Sequence, residues 1–318
     1  MNDYDRYHFP RWIPPQGATD NSSRFPGEDV QWRPRRGLGI LAKLRPDRPK
    51  LNLALYILTF LSTWFVGAYT NGNVVLGLEY SATIMAILTA HEMGHYLMSR
   101  RHRVPATLPF FIPFPFPWLN PFGTLGAIIR MDARMPNRRA LFDIGVAGPL
   151  AGLAITIPAL IAGLHWSQIE PLKSAPEGTL FLGESLLFKA LSHLVVGHIP
   201  EGFDLVLHPV AFAAWAGLFV TALNLLPIGQ LDGGHVLYAM FGRRSNVVYK
   251  IMLAAFAVIC ALVYWGWLLL ILLLIWLGYR HPPPLDDFTP LDLKRRVLGV
   301  FTFLIFVVSF TPAPFKIA

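Results

Sequence analysis

Charge is scarce in this chain. Asp, Glu, Lys and Arg make up 14% of its 318 residues, against 54% hydrophobic. A soluble globular protein runs nearer 25% charged, which excludes both a water-soluble enzyme and a disordered chain. Cysteine is almost missing: Cys260 stands alone inside an apolar run and forms no internal disulfide. The first 50 residues hold no long apolar run, so no secretory signal peptide is expected. No repeat of about 20 to 50 residues is visible. Glutamate is absent between Glu92 and Glu170, a gap that limits the choice of metal ligands below.

What the chain does have is clumped apolar sequence, with a mean hydropathy of +0.46. Crossing about 30 Å of hydrocarbon at 1.5 Å per residue takes roughly 17 to 25 apolar residues. Spans are expected at Leu51–Thr70, Glu79–Ser99, Ala140–Leu164, Leu207–Leu226, Val247–Tyr264, Gly266–Tyr279 and Val297–Phe310. The expected fold is an all-α polytopic membrane protein of six to seven transmembrane helices. Val247–Tyr279 as one helix would run about 50 Å, too long for one crossing, so a hairpin broken near Trp265-Gly266-Trp267 is favoured over one tilted helix. Gly233–Phe241 cannot span and reads as a continuation of the preceding helix after a break.

Net charge is +8. In a soluble protein that would suggest nucleic acid. Here the cations follow the bias of membrane proteins toward cytoplasmic Lys and Arg, and no nucleic-acid partner is expected. Ten lie in residues 1–50, seven in 100–139, three in 243–250 and four in 280–296. Loop 71–78 has none, and loop 165–206 has only Lys173 and Lys189 against five acids. The N-terminus, 100–139, 227–246 and 280–296 are therefore expected on the cytoplasmic side of a bacterial cytoplasmic membrane. Residues 1–50 form a basic, Pro-rich tail, either held at anionic headgroups or simply solvated. Residues 51–311 form the membrane domain, and 312–318 a C-terminal tail.

The chemistry-bearing residues are His91, Glu92 and His95, in the last third of an apolar helix. Ionisable groups inside a span cost several kcal/mol and normally have a functional reason. Positions i and i+4 leave one helix face, so two imidazoles can hold one metal, with Glu92 rotated about 100° away as a general base. A hydrolytic zinc site needs a third protein ligand and an open position. The metzincin pattern fails, because Met98 replaces its Gly and no third His follows. A Glu some twenty residues downstream fails too. Of the remaining acids, Asp132, Asp143 and Asp232, the last is the best candidate. Pro227 breaks the helix before it, and Gly233-Gly234 permits close backbone approach. Broken helices at membrane depth line polar cavities or lie buried in protein, and the cation pattern puts Asp232 at the same end as the histidines.

The sequence resembles the site-2 protease family of intramembrane zinc metalloproteases. The match rests on H-E-x-x-H at 91–95 and N-x-x-P-x-x-x-L-D-G at 224–233, supported by Gly123-Thr124-Leu125-Gly126 and Ala147-Gly148-Pro149-Leu150-Ala151-Gly152. It covers a core of about residues 80–242. The resemblance implies one Zn²⁺ per chain on His91, His95 and Asp232, Glu92 as general base, and Asn224 acting on the scissile carbonyl or oxyanion. It implies regulated proteolysis of a single-span membrane protein within the lipid bilayer, in bacteria an anti-sigma factor, for example. A homo-oligomer is compatible with it. No PDZ domain fits in loop 165–206 and no CBS pair fits after Tyr279.

A helical substrate hides its peptide bonds. Gly123, Thr124, Leu125, Gly126 and Ala127, after a Pro-rich approach at Phe110–Pro121, are expected to form a membrane-associated β-like loop offering a strand edge to unwound substrate. The alternative is an interfacial loop with aromatic anchors. Asp143 is expected to make a polar contact or cap, His235 to orient Asp232 or nearby backbone, and His208 to start a helix. Arg100, Arg101, His102 and Arg103 read as headgroup anchors. Two other functions share these features: a transporter, whose broken helices resemble 224–234, and a catalytically silent adaptor.

Overall fold

The computed structural model describes residues 48–132, 135–172, 180–277 and 282–317. All but the last three residues of the basic tail lie outside that range. The described chain is mostly helical, and four helical stretches are long and apolar enough to cross a membrane: Pro49–Asn71, Val74–Arg101, Arg138–Trp166 and Asp232–Leu262. Six to seven were expected. Two further apolar segments form helices of 16 and 17 residues, bounded by the break at Pro227 and by Pro312, and the Leu268–Leu277 helix runs to the edge of the described residues.

Helices α1 (Pro49–Asn71) and α2 (Val74–Arg101) form an antiparallel pair joined at Gly72-Asn73. Asn73 caps α2 by accepting from the N–H groups of Val75 and Leu76. Between the two helices, the Thr63 and Ser81 hydroxyls meet at 2.7 Å, both buried, and the Ser81 hydroxyl donates to the Phe60 carbonyl at 2.9 Å. Such short polar pairs hold apolar helices together where lipid offers no hydrophobic drive.

After α2 the chain turns back as a β-hairpin. Strand β1 (Phe110–Pro113) pairs antiparallel with β2 (Thr124–Ile128), in the register Phe110↔Ile128, Phe111↔Ala127 and Pro113↔Thr124. Thr-Leu-Gly-Ala-Ile is thus a strand, and part of the Pro-rich approach is its partner. α1 satisfies backbone groups that flank the two strands. The Asn52 amide donates to the carbonyls of Leu108 and Pro109, and the Ser62 hydroxyl donates to Gly123 O at 2.7 Å. At the far end the Tyr80 hydroxyl donates to Phe122 O at 2.9 Å. Tyr80 precedes His91 by three turns, about 16 Å, so the hairpin runs alongside α2 past the histidines.

Helix α3 (Arg138–Trp166) is capped by Asn137 and packs across α2 and α5 (Pro209–Asn224). Small residues on α5 (Ala211, Ala213, Ala214, Ala216) are fully buried, and beside them Trp215 centres an aromatic stack with Phe212 and Phe219. The chain breaks at Pro227, as expected, and restarts as α6 (Asp232–Phe241). A 3-10 turn at Gly242–Arg244 leads to α7 (Ser245–Leu262). A second 3-10 turn, Trp265–Trp267, separates α7 from α8 (Leu268–Leu277). The Phe256 and Trp267 rings lie 5.3 Å apart; eleven residues of unbroken helix would separate them by about 16 Å. The run is thus interrupted at the expected place, which one unbroken tilted helix does not allow; Gly278 and Tyr279 lie outside the described residues.

Three features were not expected. Loop 165–206 contains α4 (Leu186–Val195) and strands of two short antiparallel pairs: β3 (Gln168–Pro171) with β5 (Phe203–Val206), and β4 (Leu180–Leu182) with β6 (Phe315–Ile317). The C-terminal tail therefore supplies a strand, with Phe315 packed on Trp215 and Phe219. Before α9 (Leu293–Ser309), the segment around Asp286 straps onto the start of α3: Leu285 and Asp286 N–H donate to the carbonyls of Met135 and Pro136. The Thr289 hydroxyl and backbone hold the Asp286 carboxyl below its ordinary range. Arg295 grips both oxygens of Asp143 at 2.7 Å, and His102 meets the same carboxylate at 2.8 Å. Asp143 is thus the polar contact expected. The network joins the C-terminal end of α2 to the N-terminal ends of α3 and α9, so Arg100, Arg101, Arg103, Arg138, Arg139 and Arg296 gather at one end of the bundle.

Candidate metal centre

His91 and His95 project from one face of α2, one turn apart, with ring centroids 4.9 Å apart. Asp232 reaches them from the first turn of α6. Gly233 makes that approach feasible, since a Cβ there would lie 2.0 Å from the Leu225 carbonyl oxygen. Nε2 of His91 and Nε2 of His95 are 3.2 Å apart, and Asp232 Oδ2 lies 3.4 and 3.3 Å from them. Among the described residues this is the one His, Cys, Asp and Glu group close enough to share a metal. Ligands about 2.0 to 2.1 Å from a tetrahedral zinc stand roughly 3.3 Å from one another. The three donor atoms already form a triangle of that edge.

The surroundings suit the same use. His95 Nδ1 lies 2.8 Å from the Ile144 carbonyl oxygen. Donation there fixes the tautomer and turns the lone pair of Nε2 toward the triangle, the usual outer-shell support of a metal-bound imidazole. The ring occupies space left by Gly148 on α3, where a Cβ would lie 2.1 Å from Nε2. Both histidines are 5% exposed, so free imidazoles at this spacing would be costly without a shared partner.

Next to the triangle is a cavity of about 130 Å³, lined by His91, Glu92 and Asn224 together with Leu125, Gly126 and Ala127. Asn224 Nδ2 lies 3.1 Å from His91 Nε2, so its amide stands at the histidine corner. Among the described strands β2 pairs only with β1, leaving its other edge unpaired on the cavity side.

Gly123 and Thr124 lie away from the cavity. Gly123, at φ +71°, packs on Thr63 of α1, and the Thr124 hydroxyl donates to Ile112 O at 2.9 Å, so both shape the hairpin. Asp132 stays at the hairpin's foot, its N–H donating to Pro105 O. His235 is outside the donor triangle and packs its Cβ on Gly145. His208 caps α5.

Sequence reasoning passed over Ile87, Leu88, Gly217, Val220 and Thr221, which also line the cavity. The signal was available. Stepping back one turn from His91 and Glu92, and one and two turns from Asn224, gives these positions.

A family model described as Peptidase family M50 matches residues 79–264. The chain is 32% identical over 237 residues to the probable zinc metalloprotease EGY1, chloroplastic, of Oryza sativa subsp. japonica, covering 72% of this chain and 39% of that protein. It is 32% identical over 249 residues to the Arabidopsis thaliana protein of the same name, covering 76% and 43%. Against the probable zinc metalloprotease EGY2, chloroplastic, of Arabidopsis thaliana, identity is 29% over 245 residues, covering 75% and 42%. The chain thus spans about two fifths of the length of these curated relatives. No solved structure matches it. The matched stretch holds the histidine pair, the broken helix and the carboxylate that closes the triangle, and with more than half the chain inside it, the chain belongs to peptidase family M50, the site-2 proteases.

Proposed function

We propose that this chain is a zinc-dependent endopeptidase that hydrolyses peptide bonds of single-span membrane proteins within or beside the bilayer. The observation that carries the reading is the three-donor triangle beside a cavity containing one carboxylate, one amide and one strand edge. His91, His95 and Asp232 would hold the zinc. Zinc bound there supplies Lewis acidity toward water and toward a peptide carbonyl.

The remaining chemistry belongs to the chain's own residues. The Glu92 carboxylate takes a proton from the attacking water and returns it to the departing amine. The Asn224 amide donates from Nδ2 to the oxygen on which negative charge develops. The β2 edge at Leu125–Ala127 accepts the substrate backbone as an added strand. A helix with its side chains is about 10 Å across, so a 130 Å³ cavity takes substrate only after it unwinds.

In the membrane, α5, α8 and α9 complete six to seven crossings, with the hairpin as a re-entrant element. Non-helical backbone is tolerated at such depth where protein satisfies it, as α1 does for the backbone flanking β1 and β2. The cluster of arginines around the metal end supports the cytoplasmic side for the active site. The relatives' names carry the word chloroplastic, so charge speaks for the side and not for the compartment. A general base beside the donor triangle is unnecessary for transport, and no observation favours the transporter or adaptor.

The test is Glu92→Gln, assayed for cleavage of a single-span reporter and for bound zinc. Cleavage is expected to fall by at least about 100-fold with zinc retained. Full cleavage by Glu92→Gln would overturn the proposal.

A further inference from the structure

A second concave site lies away from the metal centre. It is a groove of about 640 Å³ between the end of α6 and the first three turns of α9. Met240 and Phe241 form one wall, and the stripe Arg296, Val300 and Leu304 runs down the other. These four-residue steps keep one face of α9 on the groove. Apart from Arg296 its lining is apolar, and Phe241, Val300 and Leu304 are exposed.

The cation is at one end only. Arg295 is consumed internally on Asp143, whereas its neighbour Arg296 makes no ion pair with another described residue and lines the groove. Arg243 and Arg244 follow Phe241 after Gly242, and Lys294 lies two residues before Arg296; none of them is ion-paired among the described residues. An apolar channel headed by a concentration of positive charge matches an acyl chain below and a phosphate above. A neutral transmembrane helix would leave that charge without a counterpart.

We propose that this groove binds one anionic phospholipid, its phosphate on Arg296 and its acyl chain against Val300, Leu304 and Met240. The inference requires only that the chain is embedded in a membrane and does not depend on the protease reading. It adds a structural consequence. α6 presents Asp232 at its first residue and the groove wall at its last turn, so the lipid would brace the helix that carries the third donor.

The experiment uses the full chain purified in detergent, exposed to equimolar phosphatidylglycerol and phosphatidylcholine, with retained lipid counted by native mass spectrometry. One phosphatidylglycerol should be retained in preference to phosphatidylcholine. Arg296→Gln should lower that retention about fivefold, and Arg296→Lys should restore most of it. Val300→Trp fills the groove without removing a charge and should abolish retention. Arg101→Gln, an exposed cation at the same end but outside the groove, should leave it unchanged. Equal retention of both lipids by the unaltered chain would overturn the proposal. So would retention that survives Val300→Trp, which would indicate diffuse surface attraction, or a Val300→Trp change in oligomeric state with lipid unaffected, which would indicate a face between copies.

Discussion

Gly148→Ala tests the donor geometry without touching a donor. A Cβ at position 148 would lie 2.1 Å from His95 Nε2, 2.4 Å from Cδ2 and 2.5 Å from Cε1, where ordinary contact begins at 3.4 Å. The imidazole would have to retreat by about 1.3 Å, or α3 would have to move off α2. Metal sites tolerate about 0.2 Å in ligand distance. The ring also cannot slide freely, because its Nδ1 is tied to the Ile144 carbonyl at 2.8 Å on the same helix that would be pushing it. Loss of a supporting contact costs about 10- to 100-fold in metal affinity, and misplacement of about 1 Å costs about 100-fold in rate. Gly148→Ala should therefore lower zinc affinity in a chelator competition by at least about 100-fold, with a matching loss of reporter cleavage. Its neighbour provides the contrast. A Cβ at Gly152 would meet His91 Cβ at 3.3 Å, a distance relieved by a few tenths of an ångström, so Gly152→Ala should retain most of both activities. The intrinsic effect of Gly→Ala within a helix is stabilising by about 1 kcal/mol. A Gly148→Ala protein that is more stable and keeps full zinc and cleavage would refute the packing argument.

Two further substitutions examine the hairpin and the strap. Leu125→Pro removes a backbone donor from the strand on the cavity side, and cleavage should fall by up to about tenfold while zinc content is unchanged; undiminished cleavage would count against strand addition. Asp143→Asn removes the charge gripped by Arg295 and His102, and thermal unfolding in detergent should report a loss of about 1 to 2 kcal/mol, with an unchanged midpoint counting against the network.

The parts of the site visible in the sequence were those written in residue types. His91 and His95 announce themselves by spacing, and Asp232 by a proline and two glycines around an acid at a helix break. The same logic located the α7–α8 turn, where Trp265-Gly266-Trp267 interrupts a run too long for one crossing. The backbone contributions were silent. Nothing in the letter at position 144 says that its carbonyl will receive His95 Nδ1, and any residue would offer the same oxygen. The pairing of β4 with β6 was equally hidden, because a three-residue strand whose partner lies far along the chain leaves no periodic signature. Helix α4 was lost for another reason: its Leu-rich sequence has only ten residues, below the length that reads as a span, inside a loop otherwise identified by its acids.

The way the three donors meet has a consequence for assembly. α2 alone brings the two imidazoles to one face, since helical geometry suffices for positions 91 and 95. The third donor depends on tertiary structure twice over. α3 has to dock closely enough for Gly148 to receive the His95 ring, and the chain after Pro227 has to fold back until Gly233 sits against the Leu225 carbonyl. The first event closes a long loop, from His95 to Gly148, whose entropy is repaid only by contacts formed at the end; the second is a local turn of eight residues that has to be in place when α6 meets α2. A metal bound by all three side chains would therefore stabilise the docked arrangement of α2, α3 and α6 and would bind weakly to any state in which one helix is displaced. The helix that carries Asp232 is short, starts at a break and ends at a positively charged turn. It is the member of the trio with the least support of its own, and its neighbours, Tyr249 donating to the Gly234 carbonyl at 3.0 Å and α9 along its far end, set how firmly the carboxylate is held.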